Sequence, residues 1–479
     1  MSGPRISPAT LVRISLLAAT VAALACLWAA WCWFPAFAWN DVRLAPAFAL
    51  RHGLNPYPPL GGGPLNTWTY GPVGFILNLP ATFATSAAGA LQLAWLINAL
   101  TLLGPLVVIF FGSAELRAQG SAARWFALTL AVLLLPHQML LLQVPDHAAI
   151  AFGLLSCWCL AGRARPTAAR LAAAAALCAL AISAKQIAVF LVAGQLAYLL
   201  LDRAWATAVR YSAWLAGWNA LALALSVWAF GFDNFWLNVV EIPHRSPGVA
   251  VAARLAARAL PLLAQVALPA AGLIVLWLSR RWPAGDRESV RFFRLTVLAA
   301  AALLPIGFLA FRKNGGDMNL FHSWNYLLPG GLLVWLAAKG ASAGAGRALL
   351  AATALAVASR GTDLASLPAH PHTEHFDVAA QLTAAYPHAL WFPQNPVLAF
   401  YAGGELWHSE DGILARNVCG YGLREIDFRR YLPSHLDGVV YPATAEFSVM
   451  MSLLPEFNHR IALPYWTLLT RVPPPAARP

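Results

Sequence analysis

The chain has 479 residues, of which 59% are hydrophobic and only 11% are charged. A soluble domain of this length needs far more charge to cover its surface, so the composition excludes a soluble protein and predicts a polytopic α-helical membrane protein. The net charge of +12 does not indicate nucleic acid as a partner, because no basic run with interleaved aromatic residues is present.

Apolar segments recur along the first 360 residues. The first, 13–38, is too long for the core of a signal peptide and ends in aromatic residues instead of a small-residue cleavage site, so we expect it to be retained. We predict about eleven spans, several of them short enough to be tilted. They lie at 13–38, 87–111, 124–142, 147–161, 171–184, 187–201, 211–230, 259–279, 294–311, 325–339 and 347–359.

The distribution of Lys and Arg predicts the orientation. One alternate set of loops carries sixteen basic residues and the other carries eight. Because the more basic set faces the cytoplasm, we expect a cytoplasmic N-terminus and an exoplasmic first loop. An odd number of spans then places residues 360–479 outside as well.

Residues 360–479 differ from the rest of the chain. They hold eight Arg and eleven acidic residues, and they contain short strand patterns at 389–394, 436–442 and 465–471. Helical patterns at 377–387 and 395–408 separate the strands. The sequence therefore predicts a transmembrane domain at 1–359 and a small exoplasmic α/β domain at 360–479. Five of the six cysteines lie in apolar segments, so no disulfide framework is expected.

The first polar segment, Asn40–Pro72, follows the first span directly. Asp41 is placed at the boundary between lipid and water, where a carboxylate can serve as a catalytic base. The proline and glycine residues of this segment predict a shaped loop, which contains Tyr57, Trp68 and Tyr70. Alternatively, Asp41 is a solvated carboxylate at a helix end. Trp68 and Tyr70 are either interfacial belt residues or a platform for stacking a sugar.

Two more polar clusters interrupt apolar segments on the same side. Asp146 lies beside His147, and Lys185 lies at a bend between two apolar halves. An unpaired charge there is expensive, which favours a functional role for both Asp146 and Lys185. The alternative is a structural ion pair between the two. His147 is a candidate for contact with substrate, and the alternative is a hydrogen-bonded structural histidine.

The last polar cluster lies at 312–322, with residues 241–245 as a possible companion. Arg312 and Lys313 precede a glycine-rich polar stretch, which suits a phosphate-binding loop. The alternative is that Arg312 and Lys313 are boundary anchors whose charged ends reach the interface. Arg245 could join the phosphate site, and His322 could contact substrate.

Transfer of a group from a lipid phosphate to a hydroxyl unites these clusters. A base such as Asp41 takes the proton of the acceptor, and cations stabilise the departing phosphate. No glycine loop followed by Lys-Ser/Thr and no serine elbow is present, so soluble nucleotide sugars are not expected as donors.

The first polar segment also resembles a known family. The pattern A-x-A-x-x-x-G-x-N-P-Y at Ala47–Tyr57, followed by Y-G-P at Tyr70–Pro72, is similar to the GT-C superfamily of integral-membrane glycosyltransferases, in its polyprenyl-phosphate-sugar-dependent, mannosyltransferase-like branch. The resemblance implies catalytic roles for Asp41 and Asp146. It implies donor-phosphate binding by Lys185, Arg312 and Lys313.

The resemblance implies a bacterial inner-membrane enzyme that moves a sugar from a polyprenyl phosphate to an exoplasmic glycan, lipid or protein. Many members have two acids where this chain has Asn40 beside Asp41. A divalent metal is possible but not favoured, because one carboxylate is a poor site for it. We therefore expect no cofactor. The alternatives are a transporter or flippase of lipid-linked sugar, and a non-catalytic assembly or sensing protein.

Overall fold

A computed structural model gives the fold. It describes residues 8–66, 68–162, 166–278, 285–313, 316–339, 353–354, 356–358, 360, 367–422, 425–444 and 453–471.

The N-terminal three quarters of the described chain is helical. The helices are α1 (Pro8–Trp33), α2 (Ala38–Arg51), α3 (Val73–Ile76), α4 (Ala87–Gly112), α5 (Ala114–Ala118), α6 (Ser121–Leu134), α7 (His137–Leu141), α8 (Asp146–Ala161), α9 (Ala168–Ala184), α10 (Val189–Leu201), α11 (Trp205–Phe230), α12 (Phe232–Trp236), α13 (Ile242–Arg245), α14 (Val251–Ala257), α15 (Ala259–Leu262), α16 (Leu268–Leu278), α17 (Glu288–Phe311) and α18 (His322–Ala338).

The chain is a multi-pass membrane protein. Four segments of the described chain are long and apolar enough to cross a bilayer on their own: Arg13–Ala36, Ala87–Gly112, Trp205–Phe230 and Glu288–Phe311. Shorter apolar helices such as α8, α9 and α10 pack among them and share one large hydrophobic core. The count of eleven spans stays a prediction, and most of the expected span at 347–359 lies outside the described residues.

The C-terminal unit, described at 367–471 with gaps, is an α/β layer. Its helices are α19 (Glu374–Ala385), α20 (Pro396–Gly403), α21 (Glu410–Val418) and α22 (Glu425–Arg430), and its strands are β1 (Leu390–Trp391), β2 (Gly438–Pro442), β3 (His459–Ala462) and β4 (Trp466–Thr470). The sheet order is β1-β2-β4-β3, with β1 and β2 parallel and the other pairs antiparallel. The three expected strands are present, and β3 is additional.

The expectation that all of Asn40–Pro72 forms a loop was wrong for its first part. Asn40 and Asp41 lie in the first turn of α2, which continues to Arg51 with Pro46 inside it. The run between Val42 and Arg51 contains no glycine, and Ala, Leu and Arg favour a helix. Residues 52–66 and 68–72 form the irregular loop that the prolines and glycines predicted.

The C-terminal unit is fastened to this loop. The backbone N–H of Leu65 donates to Nδ1 of His408 (2.9 Å), and the carbonyl of Leu65 accepts from the backbone N–H of Ser409 (3.0 Å). Gly412 packs so closely on Leu65 that a Cβ at this position would lie 2.1 Å from the Leu65 carbonyl oxygen. The loop and the C-terminal unit therefore form one continuous structure.

Candidate functional site

Asp146 and Lys185 form a buried ion pair. Asp146 begins α8, and Lys185 follows α9 in an extended conformation that ends the helix. The Lys185 Nζ lies 2.5 Å from Oδ1 of Asp146, and each side chain is only 5% exposed. The sequence left open whether these residues pair structurally or act in function. The pair is formed, and its surroundings bear on its role.

The loop around residue 319 completes this group. Asn319 donates from Nδ2 to Oδ2 of Asp146 at 3.1 Å, so both carboxylate oxygens have a partner. We call Asp146, Lys185 and Asn319 the ion-pair site. Satisfying the carboxylate with a cation and an amide is what makes burial of its charge tolerable.

An apolar cavity begins at the ion pair and runs between four helical elements. It is narrow, about 20 Å³, which is room for about one water molecule. A longer ligand enters only if side chains such as Leu191 move aside. Besides Asp146 and Lys185, it is lined by Ala149, Ile150, Gly153, Ile187, Ala188, Leu191, Leu303, Ser323 and Leu327.

Tyr70 joins the first loop to the ion-pair site. Its ring centroid lies 5.5 Å from Nζ of Lys185 and 5.5 Å from Cζ of Arg43, so two cations face one aromatic ring. Both distances fall within the range of cation–π attraction. Tyr70 is half-buried and is the aromatic residue of the loop that borders the charged site.

Tyr57 and Trp68 are buried and shape the loop. The Tyr57 hydroxyl donates to the carbonyl of Tyr70 (2.7 Å), and the Trp68 indole donates to the carbonyl of Gly71 (2.9 Å). Gly71 lies against Ser183 at the end of α9, where a Cβ would meet the Ser183 carbonyl oxygen at 2.0 Å. This close approach holds Tyr70 next to Lys185.

His147 and His322 stack on each other beside the ion-pair site. Their ring centroids are 5.6 Å apart with an interplanar angle of 20°, and both side chains are buried. Nδ1 of His147 shares a hydrogen bond with Oδ1 of Asn98 (2.6 Å). Neither ring nitrogen of His322 has a hydrogen-bond partner within the described part of the chain. Asn98 was missed by the sequence reasoning, because one asparagine in an apolar helix carries no distinguishing signal.

Asp41 has different hydrogen-bond partners from those of Asp146. Its side chain is fully buried, and its carboxylate accepts the backbone N–H of Val397 (2.7 Å) and that of Leu398 (3.2 Å) in the first turn of α20. We call this contact the Asp41 anchor. Burial raises the pKa of Asp41 to about 7, against the opposite effect of hydrogen bonds from Val397, Leu398 and the Asn395 side chain. A pKa near neutral suits a general base. However, both carboxylate oxygens of Asp41 already accept hydrogen bonds from α20, which suits a structural contact that holds this helix.

Asn40, beside Asp41, connects α2 to the segment before Asp146. Its Nδ2 donates to the carbonyls of Phe34 and Leu141, both at 2.8 Å, and its Oδ1 accepts from the backbone N–H of Gln143 at 2.7 Å. The side chain is fully buried. Where the resemblance led us to look for a second acid, this chain has a structural amide.

The basic residues at 312–313 and 245 lie in a separate contact network. Nζ of Lys313 donates to the carbonyl of Pro243 (2.7 Å), and the Arg312 side chain is exposed. Arg245 approaches Glu241 at 3.9 Å and the ring of Tyr421 at 4.5 Å. From the loop between α17 and α18 it is Asn319 that contacts Asp146. Residues 314 and 315 of the expected phosphate-binding loop lie outside the described residues.

The helical bundle with its C-terminal α/β unit has the fold of a solved structure. The chain is similar to the crystal structure of ArnT from Cupriavidus metallidurans bound to undecaprenyl phosphate. The TM-score is 0.59 and the identity 14%, and the match covers 95% of this chain and 98% of that chain. No family model and no curated protein matches the sequence. The likeness establishes the fold, and the function is argued from the site.

Proposed function

We propose that this protein is a glycosyltransferase that moves a sugar from a polyprenyl phosphate to an acceptor on the first-loop side of the membrane. The observation that carries the proposal is the ion-pair site, where a buried lysine stands at the head of an apolar cavity. A phosphate on an isoprenoid chain has the matching distribution of polarity, with its charge at one end and apolar carbon beyond. The ArnT structure with undecaprenyl phosphate supports this donor class.

Lys185 is the cation proposed to receive the donor phosphate. It exchanges Asp146 for a phosphate oxygen, and an ammonium group is a common partner of phosphate. The acceptor oxygen then bonds to the anomeric carbon of the sugar. The bond from that carbon to the phosphate oxygen breaks, polyprenyl phosphate leaves with the electron pair, and a carboxylate takes the proton of the acceptor.

Two carboxylates are candidates for that proton. Asp146 lines the cavity and is released when Lys185 turns to the phosphate. Asp41, the base implied by the resemblance, must first part from the N–H groups of α20. The geometry favours Asp146, and the assignment of Asp41 stays a prediction. Arg312, Lys313 and Arg245 would then recruit the anionic donor from a distance, and no metal is invoked.

The proposal further places the N-terminus in the cytoplasm and the first loop with the C-terminal unit on the outer face of a bacterial inner membrane. The excess of basic residues in one alternate set of loops supports this orientation. The acceptor is then a glycan, lipid or protein of that compartment.

The test is binding of labelled undecaprenyl phosphate to the purified full chain in lipid nanodiscs. The double variant Lys185→Met/Asp146→Asn removes the charges without leaving one unpaired, so it should fold. We expect its affinity to fall about 10- to 100-fold, the equivalent of one charge-assisted hydrogen bond. The matched control is Arg294→Met/Asp202→Asn, which removes a partly exposed ion pair elsewhere (3.0 Å).

Equal binding by the two double variants would contradict the proposal. A second assay supplies a polyprenyl-phosphate sugar labelled in the sugar and follows the label into a new covalent product. Movement of the label across sealed vesicles without such a product would instead indicate the transporter alternative.

A further inference from the structure

A second, larger cavity lies between the transmembrane bundle and the C-terminal unit. Its volume is about 590 Å³, and it separates the first turn of α4 from α19 and α20. We call it the α19 cleft. It is lined by Thr85, Ser86, Ala87, Ala88, Thr373, Phe376, Asp377, Ala380, Thr383, Ala384, Pro387, His388, Leu398, Tyr401 and Ala402.

One face of α19 forms a wall of this cleft. Its lining residues recur at intervals of three and four, which is the spacing of a single helical face. Ala380 and Ala384 stand exposed at the centre of that face, and Ala87 and Ala88 lie on the α4 side. The cleft is open because small side chains border it where larger ones would fill it.

The cleft lies at the head of a membrane-spanning helix. Ala87 is the first residue of α4, and Ser86 caps it by accepting the backbone N–H of Gly89 at 3.1 Å. Phe83, just before this turn, is 68% exposed, which is typical of a residue facing lipid. A molecule with an apolar tail in the bilayer can therefore place its head group in the cleft.

The polar groups in the lining favour a neutral head group rich in hydroxyls. Among the described lining residues there is no Lys or Arg, and Asp377 disfavours an anion. Thr85, Ser86, Thr373 and Thr383 offer hydroxyls that both donate and accept, and Asp377 accepts. The rings of Phe376 and Tyr401 provide apolar surface for the carbon face of a sugar.

The cleft is also continuous with the Asp41 anchor. Leu398, whose backbone N–H binds Asp41, is also one of the residues that line the cleft. Tyr401, one turn later in α20, donates its hydroxyl to the carbonyl of Ala84 at 2.7 Å. The same short helix thus contacts Asp41 on one side and borders the cleft on the other.

We propose that the α19 cleft binds the neutral glycan head group of a membrane amphiphile, as the acceptor of the sugar transfer proposed above. The acceptor role rests on that proposed function, and the binding itself does not. The acceptor approaches from the α4 and α19 side, while the donor enters along the apolar cavity of the ion-pair site.

The test uses dodecyl maltoside carrying a diazirine near its sugar, added to the full chain in phosphatidylcholine nanodiscs. After illumination, labelled peptides are mapped by mass spectrometry. We expect labelling at 373–388 and 85–88, reduced at least tenfold by Ala380→Trp, which fills the cleft. The control is Gln381→Trp on the same helix, an exposed position outside the lining, which should leave labelling unchanged.

Loss of labelling in both variants, or in neither, would overturn the proposal. Stronger labelling by a diazirine phosphatidylglycerol would overturn it too, since the cleft would then hold an ordinary anionic lipid. Binding of undecaprenyl phosphate is measured on the same Ala380→Trp protein and should be retained. If wild-type protein takes the maltoside but never binds undecaprenyl phosphate, the proposed function fails and the glycan site stands.

Discussion

The two buried carboxylates of this protein, Asp146 and Asp41, differ in what satisfies them. Asp146 is held by the end of a lysine side chain and by an asparagine amide. Asp41 is held by two backbone N–H groups of α20 and by the side chain of Asn395, which precedes that helix. A lysine side chain can rotate toward another anion while the backbone stays in place, whereas backbone donors move only with their helix. Asp146 can therefore exchange its partner for another charged group. Asp41 instead holds α20 in a fixed position.

The two carboxylates also differ in how far along the sequence their partners lie. The Asp146–Lys185 pair joins residues 39 positions apart, within the helical bundle. The Asp41 anchor joins residues 356 positions apart and connects the bundle to the C-terminal unit. Equal burial therefore does not imply an equal role.

The largest effect is expected from Lys185→Ala. It leaves the charge of Asp146 buried without its cation, so the free energy of unfolding should fall by about 3 to 5 kcal/mol, and donor binding should be lost. Thermal unfolding in detergent measures the first effect. The double variant Lys185→Met/Asp146→Asn should unfold close to wild type. A double variant as unstable as Lys185→Ala would show that the pair acts by packing instead of charge.

Asp41→Asn should lower the free energy of unfolding at pH 6 by about 1 to 3 kcal/mol, because the amide NH₂ would face a backbone donor. Its sugar transfer per folded molecule should fall less than that of Asp146→Asn. Loss of a general base costs about 10²- to 10⁴-fold in turnover. If Asp41→Asn shows that loss with unchanged unfolding, Asp41 is the base and the comparison between the two carboxylates reverses.

Gly71→Ala tests whether the first loop must rest on α9. The new Cβ would overlap the Ser183 carbonyl, and overpacking of this kind costs about 1 to 3 kcal/mol. Because Tyr70 would shift from Lys185, donor binding should weaken as well. The control is Gly104→Ala in α4, where a Cβ has no neighbour within 4 Å. An equal response of both variants would contradict the role of the loop contact.

The smallest effect concerns pH. Burial raises the pKa of Asp41 to about 7, from an ordinary value of 3.8. Between about pH 4 and pH 7 the folded state binds more protons at this group than the unfolded state, so its contribution to stability falls as pH rises through that window. The difference in melting temperature between wild type and Asp41→Asn should narrow from pH 5 to pH 8. A widening difference would mean that the N–H groups of α20 outweigh burial.

The sequence predicted the elements better than their contacts. The bend at Lys185, the helix beginning at residue 146 and the strands at 390, 438 and 466 follow from local patterns. The sequence also offered an Asp146–Lys185 pair as one alternative. It could not show that Asn319, rather than Arg312 or Lys313, contacts Asp146, since that depends on how one loop folds back.

The contact between Asp41 and α20 was also beyond sequence reasoning. Two of its partners are backbone N–H groups, which every residue except proline carries, so neither Val397 nor Leu398 signals the contact. The buried Asn40 was misleading for a similar reason. The Asn40 side chain makes three hydrogen bonds to backbone groups. The residue type alone does not reveal these contacts.

The contacts of Leu65 with His408 and Ser409 have a consequence for biogenesis. The segment around residue 65 leaves the ribosome early, yet its final shape needs partners synthesised more than three hundred residues later. During translation the bilayer therefore receives a helical bundle whose first loop still lacks its partners in the C-terminal unit. Premature termination before residue 408 would remove these partners, so the segment around residue 65 reaches its final shape only after residue 409 has been synthesised.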